Sequence, residues 1–204
     1  MEGDWGKAGT LKFKGKEWRA EIRKEESAVV FATSRNTVRV TPFGEGNRAA
    51  AATASCTVVG GSDSEAVTVK VVWNGGGGKL AGNITFKPDG LVEVKPGAGM
   101  DGIYVSGAIS YGVLPGIFLE DVVYDPMEYP DLDTIHIPSE NMFMAFLGSG
   151  DGIWVCVWPE GGQNIWLELE SSQDGGRRAA RIALGLDGKP VYFGVLEAES
   201  IWHR

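Results

Sequence analysis

The chain has 204 residues, of which 43% are hydrophobic and 23% charged, and its formal net charge is −8. No apolar run approaches the ~18 residues of a bilayer-spanning helix, and an acidic chain whose cations are scattered lacks the basic stripe that phosphates require. Neither a membrane nor a nucleic acid is therefore an expected partner. Thirty glycines, about twice the ordinary share, point to a fold made of tight turns.

The opening residues Met1, Glu2, Gly3, Asp4 and Trp5 lack the basic start and apolar stretch of a signal peptide. Residues 1–50 hold ten Lys and Arg against seven acids, but Arg19, Arg23, Arg35 and Arg39 are interspersed with Glu17, Glu21, Glu25 and Glu26, as on strand surfaces. Trp18, Ala20 and Ile22 alternate with charged residues, and Val38 and Val40 flank Arg39. Both patterns have the period of a half-buried strand. The alanine run after Arg48 makes Glu45 to Ser55 one of two weak helical candidates; the other, Ser139 to Leu147, reads as readily as a strand buried on both faces. Val67, Val69, Val71 and Trp73 keep one phase, and Leu80, Ile84 and Phe86 keep another. Gly75 to Gly78 between them lacks the Lys-Ser/Thr and following helix of a phosphate loop, so it reads as a hairpin turn. Further turns fall at Pro88-Asp89-Gly90 and Asp187-Gly188-Lys189. Cys56 and Cys156 each sit in an apolar stretch; they are read as free and buried, with a bridge closing about 100 residues as the alternative. The expected fold is all-β, an antiparallel β-sandwich with Gly-rich turns and little helix. It forms one domain over 1–204, with a basic-leaning part (1–95) and an acidic part (96–204).

From Pro96 to Gly176 the chain has thirteen acids and no Lys or Arg, which makes that part of the surface a negative field. Six carboxylates fall between Glu120 and Asp133, with Pro126 and Pro130 stiffening the path. Asp125, Asp131 and Asp133 are candidate ligands for a Ca²⁺ ion, a hard cation that takes carboxylate and carbonyl oxygens, although the spacing is not that of an EF-hand. For catalysis the candidates are Glu120 or Asp121 with Glu140 as an acid and base pair, and His136 with Tyr111 or Tyr124 for proton transfer. Gly148-Ser149-Gly150 lacks the strand-turn-helix setting of a nucleophilic serine. Alternation over Gly152 to Glu170 puts Ile153, Val155 and Val157 on one phase and Trp154, Cys156 and Trp158 on the other. After Pro159-Glu160-Gly161-Gly162, Ile165, Leu167 and Leu169 take one phase and Trp166, Glu168 and Glu170 the opposite. Aliphatics are taken to mark the core, so a hairpin of the two strands would gather Trp154, Trp158 and Trp166 on a wet face. Indoles stack on sugar C–H faces while carboxylates accept from hydroxyls, so these three, with Tyr111 and Tyr124, are candidate glycan-binding residues.

The phrases Ile109-Ser110-Tyr111-Gly112-Val113-Leu114-Pro115-Gly116 and Val155-Cys156-Val157-Trp158-Pro159, in a glycine-rich and tryptophan-rich all-β chain, resemble the β-sandwich domains of secreted bacterial polysaccharide-acting proteins, including the supersandwich type. The resemblance implies a carbohydrate-binding or carbohydrate-processing domain in an extracellular or periplasmic setting, and it leaves enzymatic activity open. A neutral glycan is the expected ligand, because the stretch from Pro96 to Gly176 offers only His136 to offset a substrate carboxylate. No cofactor is expected beyond Ca²⁺. The alternative is a non-catalytic module that packs on another protein domain of a larger assembly, stabilised by calcium.

Overall fold

The computed structural model describes residues 4–5, 10–14, 19–23, 28–32, 37–44, 47–50, 53–60, 66–75, 78–87, 91–107, 109–114, 122–124, 132–136, 143–148, 152–157, 166–174 and 177–197. Side-chain surroundings are defined for residues 19–22, 28–32, 37, 39–44, 57, 66–74, 78–87, 91–106 and 184–194, and other strand residues are placed by register. In chain order the first strands are β1 (Asp4–Trp5), β2 (Thr10–Lys14), β3 (Arg19–Arg23), β4 (Ala28–Ala32), β5 (Thr37–Gly44), β6 (Asn47–Ala50), β7 (Thr53–Gly60), β8 (Val67–Gly75), β9 (Gly78–Phe86) and β10 (Val92–Pro96). They are followed by β11 (Met100–Gly107), β12 (Ile109–Leu114), β13 (Val122–Tyr124), β14 (Leu132–His136), β15 (Phe143–Gly148), β16 (Gly152–Val157), β17 (Trp166–Asp174), β18 (Arg177–Gly185) and β19 (Val191–Glu197).

These strands form two antiparallel sheets, and no helix occurs among the described residues. The ten-stranded sheet runs β1-β2-β3-β4-β5-β11-β18-β17-β14, with β6 beside β5; the nine-stranded sheet runs β13-β12-β15-β16-β19-β10-β9-β8-β7. The expected all-β sandwich is what forms. The sheets stack through β5 against β8 and β9, and β11 against β9 and β10. Phe31 of β4 meets Phe86 of β9 across the layers, with ring centroids 6.2 Å apart.

Alternation explains which residues fill the space between the sheets. Opposed residues of an antiparallel pair share a face. One row therefore runs Leu11, Ile22, Val29, Val40 and Val105 through the ten-stranded sheet, and a second runs Ile103, Leu184, Leu167 and Ile135. In the nine-stranded sheet Val69, Ile84, Val94 and Val191 form one row. All four of these residues are buried, as are Val71 and Trp73 two and four positions along β8 from Val69. Each such side chain stabilises the fold by roughly 1.5–3 kcal/mol through removal from water.

The turns behave as the glycines require. β8 and β9 pair as a hairpin with Gly75 opposite Gly78, and Gly76 and Gly77 of the expected turn lie outside the described residues. Asp187 and Gly188 both have positive φ, 48° and 72°, and the Lys189 N–H donates to the Leu186 carbonyl at 2.7 Å. An Asp-Gly pair suits that left-handed turn.

Three expectations are corrected. Glu45 to Ser55 is not helical where described, because Asn47–Ala50 and Thr53–Gly60 are strands, and the ladder overrides the helix preference of alanine. The Phe143 to Leu147 run is a strand, as its alternative reading had it. The supposed hairpin of Trp154 and Trp166 does not exist: β16 pairs with β15 and β19, whereas β17 pairs with β14 and β18 in the other sheet. The phase assigned to β16 is also reversed. Cys156 stands opposite Phe193, which is buried in the row of Val92 and Phe86. Trp154 and Cys156 therefore hold the inter-sheet phase, and Ile153, Val155 and Val157 hold the outer one. In β17, Leu167 stands opposite the buried Leu184.

Register also decides the cysteines. Cys56 on β7 and Cys156 on β16 lie in one sheet with β8, β9, β10 and β19 between them. Five strand spacings amount to on the order of 24 Å, while a disulfide requires Cα atoms within roughly 7 Å. The two cannot bridge within one chain.

Candidate functional site

The strongest gathering of chemistry-bearing residues lies where β17 meets β14, the last strand of the ten-stranded sheet. His136 stands directly opposite Trp166. The register slips between Leu132 and Ile135, which face Leu169 and Leu167, so Asp133 and Thr134 together oppose Glu168. An extra residue of this kind bends a strand and re-aims its neighbours. The pairing therefore places Trp166 with His136, and Glu168 with Asp133, at register positions on either side of the Leu167–Ile135 pair. Trp166 and Glu168 take the strand phase opposite to Leu167, which stands opposite the buried Leu184.

Inward from that edge the same row continues through Gly185 and Gly102 to Phe43. Neither glycine brings a side chain, and at Gly102 none could fit. A methyl group there would overlap the Phe43 ring and the Leu184 carbonyl oxygen. Phe43 packs on Tyr104 with ring centroids 4.8 Å apart, and both are buried. The row thus passes from a rigid aromatic pair, over two glycines, to Trp166 and His136 at the edge.

Charge is graded along β17. Asp174 stands opposite Arg177 and Glu170 opposite Arg181, whereas Glu168 stands opposite Ala183. Cross-strand opposite charges of this kind contribute roughly 0.2–1 kcal/mol each. Glu168, nearest to Trp166, is the carboxylate of this strand that does not face an arginine in the ladder.

The other expected site residues are distributed as follows. Tyr111 lies on β12 opposite Leu147, and Tyr124 on β13 opposite Gly112, both in the nine-stranded sheet. Trp154 lies on β16, so among the described residues singled out the pairing brings together Trp166, His136 and Asp133. Glu120, Asp121, Asp125, Asp131, Glu140 and Trp158 lie outside the described residues. Glu168 gains its place beside Asp133 from a pairing of strands about thirty residues apart, for which no local pattern exists.

No family model matches the sequence, and no curated protein matches it by sequence. Among solved structures, the chain is similar to part of the α-N-acetylgalactosaminidase NagBb from Bifidobacterium bifidum in its Gal-NHAc-DNJ complex. The TM-score is 0.56 at 13% identity, over 91% of this chain and 36% of that one. A second match, the GH36 α-galactosidase AgaA from Geobacillus stearothermophilus with stachyose, has a TM-score of 0.49 at 12% identity, over 82% of this chain and 30% of that one. The chain spans about a third of the length of these structures. Its fold is thus similar to a β-rich part of glycoside hydrolases, at low sequence identity.

Proposed function

We propose that the chain is a carbohydrate-recognition β-sandwich that binds a neutral glycan at the β14–β17 edge of the ten-stranded sheet. The observation that carries this reading is the register that sets His136 opposite Trp166 and Asp133 beside Glu168. An indole supplies a stacking surface and the carboxylates accept from hydroxyls, while the imidazole can donate or accept. The cation-free run from Pro96 to Gly176 disfavours an acidic sugar. The fold likeness to a sugar-cleaving enzyme supports a carbohydrate setting. A processing reaction would draw on His136 with Glu120 and Glu140 as acid and base. Trp158 would extend the binding surface, whereas Trp154 and Tyr124, which share an inter-sheet row, and Tyr111, in the other sheet, would not. A Ca²⁺ ion on Asp125, Asp131 and Asp133 would order the approach to β14.

Affinity electrophoresis through gels holding neutral polysaccharides, including N-acetylgalactosamine-containing ones, tests the reading. At least one polysaccharide should retard the protein, and Trp166→Ala should weaken retardation at least about tenfold, the loss of roughly 1.4 kcal/mol expected for one stacking contact. Retardation by none of them, or retardation that survives Trp166→Ala, rejects the site. Ca²⁺ is tested separately: its addition should raise the melting temperature and chelator reverse it, and an unmoved midpoint rejects the metal.

A further inference from the structure

Between residues 66 and 96 the charged side chains among the described residues are Lys70, Lys79, Lys87, Lys95 and Glu93, four cations to one acid on a chain whose net charge is −8. Alternation puts all five on one surface. Val69, Val71, Leu80, Phe86, Val92 and Val94 hold the buried phase of β8, β9 and β10, so the residues beside them face away from the ten-stranded sheet. Lys70, Lys79 and Lys95 are exposed there, and Lys87 and Glu93 are half-buried.

One row crosses four strands as Thr57, Lys70, Asn83 and Lys95, all exposed. Lys70 and Lys95 stand two strand spacings apart, about 10 Å, with Asn83 between them. The pairing of β8 with β9 and of β9 with β10 has no register slip, so the face is continuous across these strands. The neighbouring row runs Thr68, Thr85, Glu93 and Tyr192. Its two threonine hydroxyls are hydrogen-bonded at 3.1 Å, and the Lys87 ammonium sits 4.6 Å from the Tyr192 ring centre.

The chemistry of this face selects among anionic ligands. Lysine is a hydrated point charge without the fork that arginine brings to phosphate, so it accepts carboxylate or sulfate groups in many orientations. The amide of Asn83 and the hydroxyl of Thr57 donate to and accept from sugar hydroxyls. A single-stranded nucleic acid needs aromatic faces for its bases, and Lys87 lies over the Tyr192 ring. A lipid surface needs apolar side chains that enter it, and Leu91, 36% exposed, is the one exposed large hydrophobic residue among those described.

We infer that the outer face of β8, β9 and β10 binds an anionic polysaccharide, one bearing carboxylate or sulfate groups, through Lys70 and Lys95 on either side of Asn83. The surface lies on the other sheet from the β14–β17 edge and does not depend on glycan binding there.

Surface plasmon resonance of the full chain over immobilised dextran sulfate, polygalacturonate and neutral dextran tests this. At least one anionic polymer should bind at 50 mM sodium chloride and dextran should not, and the polymer that binds identifies sulfate or carboxylate as the group recognised. Raising the salt to 200 mM should weaken binding roughly tenfold, as counterion release from two or three lysine contacts requires. Lys70→Gln combined with Lys95→Gln should weaken it at least tenfold. So should Asn83→Asp, which sets a carboxylate between the lysines. Arg19→Gln makes the same change in net charge at an exposed cation of the ten-stranded sheet, and should stay within twofold of the wild type. All these variants should melt within about 2 °C of the wild type, as exposed positions do; a larger fall for the lysine pair and for Asn83→Asp means that the chain covers this face itself and overturns the inference. Binding to neither anionic polymer, an equal loss in Arg19→Gln, or binding of a thymidine oligonucleotide or of phosphatidylserine vesicles as tight as that of the better polysaccharide would each reject the proposed ligand.

Discussion

Gly102 shows how much one hydrogen atom in place of a methyl group can decide. It is buried on β11, with the Phe43 ring on one side and the Leu184 carbonyl oxygen on the other, both within overlap distance of any Cβ. The carbonyl belongs to the backbone of β18 and cannot swing aside, and Phe43 is held by Tyr104. Gly102→Ala must therefore separate β11 from β18 or eject the ring, and should cost at least about 3 kcal/mol. That is a melting temperature lower by roughly 6–12 °C for a chain of this size, measurable by calorimetry. Gly188 provides the contrast. Its φ is +72° but nothing lies within 4 Å of an added Cβ. Gly188→Ala should cost only the left-handed backbone strain, about 1 kcal/mol. If the two substitutions cost the same, the close approach at Gly102 is not what fixes that residue.

Single strands were legible wherever one phase was apolar and the other polar. Val67 to Trp73 on β8 alternates with Thr68 and Lys70, and its buried phase follows from that contrast alone. On β16 the contrast vanishes: Ile153, Val155 and Val157 are as apolar as Trp154 and Cys156, so a period of two cannot say which phase faces the second sheet. Pairing partners were less legible still. β16 and β17 are consecutive and separated by residues 158–165, yet they belong to different sheets, and β14 finds β17 by skipping two strands. The site inherits this limit. Trp166 and Glu168 were visible as one phase of a strand, but their placement beside His136 and Asp133 depends on long-range register that composition does not encode. The cysteine assignment benefits from the same register. With four strands between them, Cys56 and Cys156 should both titrate as thiols in unfolded protein purified without reductant. Melting should be unchanged by reductant, whereas a native bridge over so long a loop would contribute about 4.7 kcal/mol. A melting point that falls on reduction would show that the sheet order is wrong.

At the scale of the molecule, the topology converts a run in sequence into a region in space. The cation-free stretch supplies β12, β13, β15 and β16 at one end of the nine-stranded sheet, and β14 and β17 at one end of the ten-stranded sheet, while its first strand, β11, lies between β5 and β18. The first cations to follow, Arg177, Arg178 and Arg181, are on β18, which separates this acidic end from the rest of its sheet. Two effects of salt then oppose each other. Screening weakens the cross-strand attraction of Asp174 for Arg177 and of Glu170 for Arg181, opposite each other in the ladder, which lowers stability by a few tenths of a kcal/mol for each. It also weakens the mutual repulsion of the acids in the cation-free stretch, of which Asp133, Glu168, Glu170 and Asp174 lie on β14 and β17, and this raises stability. In sequence the thirteen acids of the stretch outnumber the three arginines that follow it by more than four to one, and repulsion among them acts over longer distances than a ladder pair, which low salt leaves unscreened, since the Debye length is about 30 Å at 0.01 M and about 10 Å at 0.1 M. Repulsion should win. Raising sodium chloride from 10 mM to 300 mM at pH 7 should increase the melting temperature by about 3 °C, near 1 kcal/mol. Replacing Arg177 and Arg181 by alanine should enlarge that increase, because the acids then lack their neighbours on β18. A melting temperature that falls with salt would mean that the cross-strand pairs dominate and that the acids of the loops are too far apart to form a common field.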